Sequence, residues 1–225
     1  MTDFAKAGSQ RWLQIAINRK PELLLNALRR SAAIGQRASV TWKSPLEADS
    51  FREYRDRTAL VKAGISDLRL PLDSFWPSRG PVWDAIGISS ESRPLFIESK
   101  AHIPEIASRG SKALGSSKKL ILKSLAEARR FYAPKATADW DGLFYQYANR
   151  LAYHYYLIKL NRMPSTLVFL YFLNADDVHG PTREAEWIGA SRLIHAALGI
   201  PKDLSSLGVF DAFLDSRLLN DTLKS

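Results

Sequence analysis

Apolar residues recur along the chain with two different periods, and the switches between those periods divide it into elements. From Gln10 to Ile34 the spacing is helical: Trp12, Leu13, Ala16 and Ile17 share one face, and Pro21 opens a second segment through Leu23, Leu24, Leu28 and Ile34. An N-terminal helical pair is expected. Residues 38–43, Ala-Ser-Val-Thr-Trp-Lys, are β-branched enough for a short strand. Ser44-Pro45 then opens a helix expected to reach about Lys62, with Phe51, Tyr54, Leu60 and Val61 turned to the core. The stretch 70–81, rich in proline, glycine and aromatics, predicts an ordered loop.

Two β-like runs, Val82 to Ile88 and Pro94 to Ile103, flank the polar turn 89–93, and a hairpin is the natural product. Gly110 and Gly115 bracket a basic loop, followed by helices expected near Lys118 to Phe131 and from about Trp140 to Asn161. The apolar run Thr166 to Leu173 is short and bounded by Pro164 and Asn174, which fits a buried strand. A last strong helix, Thr182 to Leu198, is stopped by Gly199 and Pro201, and the tail reads as partly helical. The expectation is one α/β domain over residues 1–225, with a helical appendage at 1–36, a core at 37–200 and a tail at 201–225.

Composition narrows the function classes. With 46% hydrophobic residues in 225 the chain can build a core, and its longest apolar run is far short of the roughly 20 residues of a membrane helix. The absence of cysteine removes disulfides, thiolate zinc sites and thiol nucleophiles. The opening Met1 to Gly8 has no apolar stretch behind a basic start, so a cytoplasmic protein without membrane association is expected. The net charge of +9 is unevenly spread: between Ala107 and Lys135 eight cations face the single anion Glu127. Such a field attracts polyanions through counterion release. From this segment Lys118, Lys119, Lys123, Arg129 and Arg130, with Arg150 further on, are the expected nucleic-acid contacts, and their alternative is an ordinary solvated surface.

The second hairpin strand carries the chemistry. In an extended chain Leu95, Ile97, Ser99 and Ala101 share one face, while Phe96, Glu98, Lys100 and His102 share the other. Antiparallel pairing across the turn brings Asp84 toward Glu98. Two converging carboxylates repel unless a cation sits between them, and hard oxygen ligands suit Mg²⁺ or Mn²⁺. A lysine beside such a cation can hold an attacking water and stabilise charge on a phosphoryl oxygen.

Asp84, thirteen residues, then Glu98-Ser99-Lys100 resembles the D…(D/E)-x-K signature of the PD-(D/E)xK, or restriction-endonuclease-like, nuclease superfamily. The flanks, Phe75-Trp-Pro with Gly80-Pro-Val-Trp-Asp-Ala and Glu98-Ser-Lys-Ala-His-Ile-Pro-Glu105, resemble an uncharacterised bacterial branch of it. Trp83 rather than proline precedes Asp84, with Pro81 three residues ahead of it. The resemblance implies a core of helix, three strands, helix, strand, in which Asp84 and Glu98 hold Mg²⁺ or Mn²⁺. It further implies the Ser99 carbonyl as an additional ligand and Lys100 as the residue serving the hydrolytic water. It also directs attention to a glutamate on the first core helix, where Glu53 is preferred to Glu47, and to a glutamine on a later helix, where Gln146 fits. A nuclease acting on DNA before RNA is the expected function, with a non-catalytic nucleic-acid binder on the same fold as the alternative and a homodimer left open.

Accessory residues are ambiguous. His102 and Glu105 flank the site in sequence, yet a lone histidine usually fills a structural role, and no H-E-x-x-H motif is present. Tyr153 follows Gln146 at helical spacing and could meet a phosphate backbone. For this tyrosine, as for Trp76, Trp83, Tyr145, Tyr147, Tyr155 and Tyr156, core packing competes with base stacking. Neither a P-loop nor a nucleotide-binding G-x-G-x-x-G is found.

Overall fold

A computed structural model describes residues 3–222. Five strands form one mixed sheet in the spatial order of the chain: β1 (Val40–Ser44), β2 (Ala85–Ser89), β3 (Pro94–Lys100), β4 (Thr166–Leu173) and β5 (Val209–Asp215). The first three make an antiparallel meander, whereas β3, β4 and β5 run parallel. Parallel neighbours require crossovers. Helices α4 (Gly115–Tyr132) and α5 (Tyr145–Tyr155) provide the first, and α6 (Glu184–Leu198) the second.

The N-terminal pair, α1 (Gly8–Arg19) and α2 (Pro21–Arg30), lies flat on one sheet face as a layer of the fold rather than an appendage to it. Trp12, Ile15, Leu24 and Leu28 pack there against Leu95, Ile97, Val168, Leu170 and Leu214. The opposite face carries α3 (Asp56–Lys62), α4, α5 and α6 over Ile86, Phe96, Phe169 and Tyr171. Covered on both faces, β4 is buried over seven of its eight residues, which is why its sequence is continuously apolar instead of alternating. Among the described residues no helix is long and apolar enough to cross a membrane.

Three expected elements take another form. The helix expected from Pro45 to Lys62 is broken: a 3₁₀ turn at Glu47–Asp49 leads into Ser50 and Phe51, both at positive φ, and α3 begins only at Asp56. The carbonyl of Leu46 accepts the N–H groups of both Asp49 and Phe51, while Tyr54 pairs with Trp83 in an isolated β-bridge. Turn closure and that bridge together outweigh local helix preference. The helix expected from Trp140 starts at Tyr145, because Trp140 turns inward and its indole N–H donates to the Leu198 carbonyl at 3.0 Å. The tail, read as partly helical, contributes the edge strand β5 before a 3₁₀ segment at Ser216–Thr222. Val209, Phe210, Phe213 and Leu214 are spaced as on a helix face, but pairing with β4 and burial on both sheet faces favour the extended form.

Candidate active site

The hairpin brings the acids together. Ala85 pairs with Ile97 and Ile86 with Phe96, so the same register continued by one step sets Asp84 across from Glu98. Strand alternation turns Phe96 toward the α3–α6 layer and Leu95 and Ile97 toward α1 and α2. Glu98 is 1% exposed. Lys100 closes the strand, and its Nζ lies 2.5 Å from Glu98 Oε1 and 3.0 Å from Gln146 Oε1. Gln146 reaches it from the first turn of α5, whose start is held by the Gln146 N–H donating to Ser108 Oγ at 2.8 Å. Asp84 accepts two bonds on Oδ2, from the Ser99 N–H at 2.7 Å and the Ser99 hydroxyl at 2.9 Å. Ser99 therefore meets the acid pair as a donor to Asp84.

Arg150 completes this cluster in a way the sequence did not indicate. One helical turn beyond Gln146 and only 3% exposed, it sends Nε and Nη2 to Glu98 Oε2 at 2.6 and 2.5 Å. Its Nη2 also donates to the Val82 carbonyl at 2.7 Å, its Nη1 to Asn149 Oδ1 at 2.9 Å, and its guanidinium carbon lies 4.8 Å from the Trp83 ring centre. A guanidinium expected among the phosphate contacts is instead committed to Glu98 and to the chain just ahead of Asp84.

Charge explains the protonation of each group. Burial, followed by repulsion from Glu98, pushes the Asp84 carboxyl up to about 7 against the opposing pull of Lys100 and Arg150. Burial would also raise Glu98, but Arg150 and Lys100 outweigh it and hold this carboxyl below its ordinary range. Burial would lower Lys100, yet Glu98 and Asp84 hold it above the ordinary range, so it stays an ammonium at neutral pH. Among the described residues Asp84 Oδ1 accepts no hydrogen bond, and Asp84 lines an open cleft. A carboxylate with one oxygen free of hydrogen bonds, on a residue lining the cleft and close to a second carboxylate, supplies hard oxygen donors of the kind Mg²⁺ or Mn²⁺ takes, whereas no group of three or more His, Asp or Glu side chains converges among the described residues.

The cleft, about 1110 Å³, runs between the segment 76–82 and the basic loop 109–114. Asp84, Gln146, Asn149 and Arg150 line it, as does Glu53, which arrives on the irregular segment before α3 instead of from inside a helix. Glu53 is bonded to Gln10 at 2.9 Å, and burial raises its pKa, with repulsion from Glu98 adding to the effect. The exposed side chains of Arg79, Arg109 and Lys112 stand at the rim. The basic loop is fixed from beneath: a Cβ on Gly110 would collide with the Asp141 carbonyl, and Ser111 N–H and Lys118 Nζ both donate to the Asp141 carboxylate.

Other expected site residues sit elsewhere. Lys118 is spent on Asp141 and the Ser111 carbonyl, and Arg129 donates to the Ala138 carbonyl at 2.7 Å. Lys119, Lys123 and Arg130 are exposed along α4 outside the cleft lining. His102 and Glu105 pair with each other at 2.6 Å, and Ser9 donates to the same carboxylate at 3.2 Å, away from Lys100. Tyr153 is core, its ring centre 5.3 Å from that of Trp83 and 5.9 Å from that of Phe96. Arg109 and Lys112 are rim cations that the charge run alone does not separate from the helix behind them. The one available signal is their position on either side of Gly110, in a loop instead of on a helix face. Set against family models, curated proteins and solved structures, the chain matches none.

Proposed function

We propose that the chain is a metal-dependent phosphodiester hydrolase acting on nucleic acid, DNA before RNA. The observation that carries this reading is the meeting of Asp84, Glu98, Lys100 and Gln146 beside a cleft that Asp84 and Gln146 line and that has cations on its rim. The succession α2, β1 to β3, α4 with α5, then β4 is compatible with the restriction-endonuclease-like core that the D…E-x-K spacing suggested, with α3 inserted after β1. Bound between Asp84 and Glu98, Mg²⁺ or Mn²⁺ would polarise the scissile phosphate and offset the charge developing on it. Lys100, held protonated, is no proton acceptor; it donates to the attacking water or to a phosphoryl oxygen, and Gln146 keeps its ammonium in place. Ser99 orients Asp84 by donating twice to Oδ2, which leaves Oδ1 without a hydrogen bond.

Incubation of the purified protein with supercoiled plasmid, linear duplex and single-stranded DNA tests this. Cleavage is expected with Mg²⁺ or Mn²⁺, and its loss is expected in excess EDTA and in Asp84→Asn and Lys100→Gln. Undiminished turnover under any of those conditions would refute the reading. One observation favours a second reading, a non-catalytic binder: both Glu98 oxygens are already compensated by Lys100 and Arg150 without a metal. That reading is selected if salt-dependent binding occurs with no cleavage under any divalent cation.

The rim makes a separate prediction. Arg79→Ala, Arg109→Ala and Lys112→Ala combined should weaken DNA binding and flatten its salt dependence by about 0.9 in log–log slope for each phosphate no longer neutralised. Thermal stability should hardly change, since all three side chains are exposed. An unchanged slope in fluorescence-anisotropy titrations would place the substrate path elsewhere.

A further inference from the structure

Alternation along β5 sets Val209, Asp211 and Phe213 on the sheet face that α6 covers. Val209 and Phe213 join the core there, and the position between them holds a carboxylate instead of an apolar side chain. Asp211 Oδ2 accepts from the Ser191 hydroxyl at 2.8 Å, the one hydrogen bond its side chain makes among the described residues. No lysine or arginine among them pairs with it, whereas Glu98 is met by both Lys100 and Arg150. Burial pushes the Asp211 carboxyl up to about 6 against the pull of the Ser191 bond, so at pH 8 it is ionised. A recessed carboxylate without a counter-ion is costly, and beside an opening it is a binding group in want of a cation.

The opening is a pocket of about 250 Å³ between α6, β5 and residues 202–205, and it shares no lining residue with the cleft. Tyr147 and His195, joined at 2.8 Å, line it together with Asp211. Burial lowers His195 against the pull of the Pro201 carbonyl and holds the Tyr147 hydroxyl well above its ordinary range, so neither carries charge at pH 8. Lys202 and Asp203, both exposed, offset each other at the mouth, which leaves Asp211 as the uncompensated charge of the lining. Leu204 and Val209 supply apolar surface. We propose that this pocket binds a small organic monocation with N–H donors, an alkylammonium, its charge met by Asp211 and its alkyl part by the apolar wall. The proposal stands apart from the nuclease reading, since it uses none of the same residues.

Ligand-observed saturation-transfer NMR with n-butylammonium chloride, on the full chain at pH 8 and constant ionic strength, provides the test. Saturable transfer is expected for the wild type. Tetramethylammonium, which has the same charge but no N–H donor, should bind about tenfold more weakly or worse, because a hydrogen bond to a charged group is lost. Asp211→Asn, which keeps an acceptor for the Ser191 hydroxyl, should weaken butylammonium by a similar factor. Asp203→Asn, at the exposed mouth, should bind within about twofold of the wild type. No saturable binding by the wild type, equal binding of the two cations, or undiminished binding by a folded Asp211→Asn would each overturn the proposal. If Asp211→Asn fails to fold by circular dichroism, Asp203→Asn decides: a retained preference for butylammonium supports the pocket, and a lost one moves the cation to the mouth and refutes it.

Discussion

Glu98→Ala is expected to lower the unfolding free energy by about 3–5 kcal/mol, because removing one member of a buried ion pair strands the charge of the other. The Arg150 side chain is 4% exposed and that of Glu98 2%. Without the carboxylate, the guanidinium keeps only the neutral Val82 carbonyl, the Asn149 amide oxygen and the Trp83 ring as partners, and Lys100 keeps only Gln146. Urea unfolding near neutral pH measures the loss. Glu98→Gln, which preserves volume and one acceptor, should lose less. A Glu98→Ala protein within about 0.5 kcal/mol of the wild type would show that Arg150 finds compensation elsewhere. Loss of cleavage in Glu98→Ala is consequently an ambiguous result, and Asp84 and Lys100 are the better positions for probing chemistry.

Asp84→Asn should do the opposite and stabilise the metal-free protein at alkaline pH while abolishing cleavage. The Asp84 carboxyl has an ordinary value of 3.8 and is raised to about 7 in the fold, so the folded state binds this proton more tightly than the unfolded chain does. The native state thus carries no penalty from Asp84 below about pH 4; the penalty grows as pH rises and is complete above about pH 7. Asparagine cannot ionise, yet its carbonyl oxygen can still accept from the Ser99 N–H and hydroxyl. The expected gain at pH 8 is on the order of 2 kcal/mol, read as a higher Tm in EDTA, and it should vanish at pH 4. A lower Tm for Asp84→Asn at pH 8 would mean that the ionised acid is welcome in the metal-free fold. A stabilised and inactive variant would identify Asp84 as a group kept for function at the expense of stability.

Elements with a plain local pattern were readable from the residues alone. The β2–β3 hairpin follows from two β-branched runs around a polar turn, and β4 from a run too short for a buried helix and too apolar for a solvent-facing strand. Alternation along Pro94–Lys100 was enough to place Glu98 and Lys100 on one side, and the hairpin register then dictates where Asp84 falls. The helical pair at the N-terminus was equally plain from its 3.6-residue spacing and Pro21.

Other features depended on contacts that no local pattern encodes. Residues 45–55 have helical spacing but meet Trp83 and the turn at Leu46, so Glu53 reaches the cleft on irregular backbone. Val209 to Asp215 presents a helix-like repeat that becomes a strand only because β4 offers an unpaired edge. Cation roles were the least legible. Net charge is a sum over residues and says nothing of which side chains the fold will consume: Lys118 went to Asp141, Arg129 to a carbonyl and Arg150 to Glu98, leaving Arg79, Arg109 and Lys112 at the rim. By itself the sequence determined the N-terminal helical pair, the β2–β3 hairpin and β4, and it nominated Asp84 and Glu98 as an acid pair, because these follow from residue patterns over short separations. Only the tertiary structure decided that α5 would set Gln146 and Arg150 against that pair from 48 and 52 residues beyond Glu98, since burial and ion pairing act between residues that meet in space.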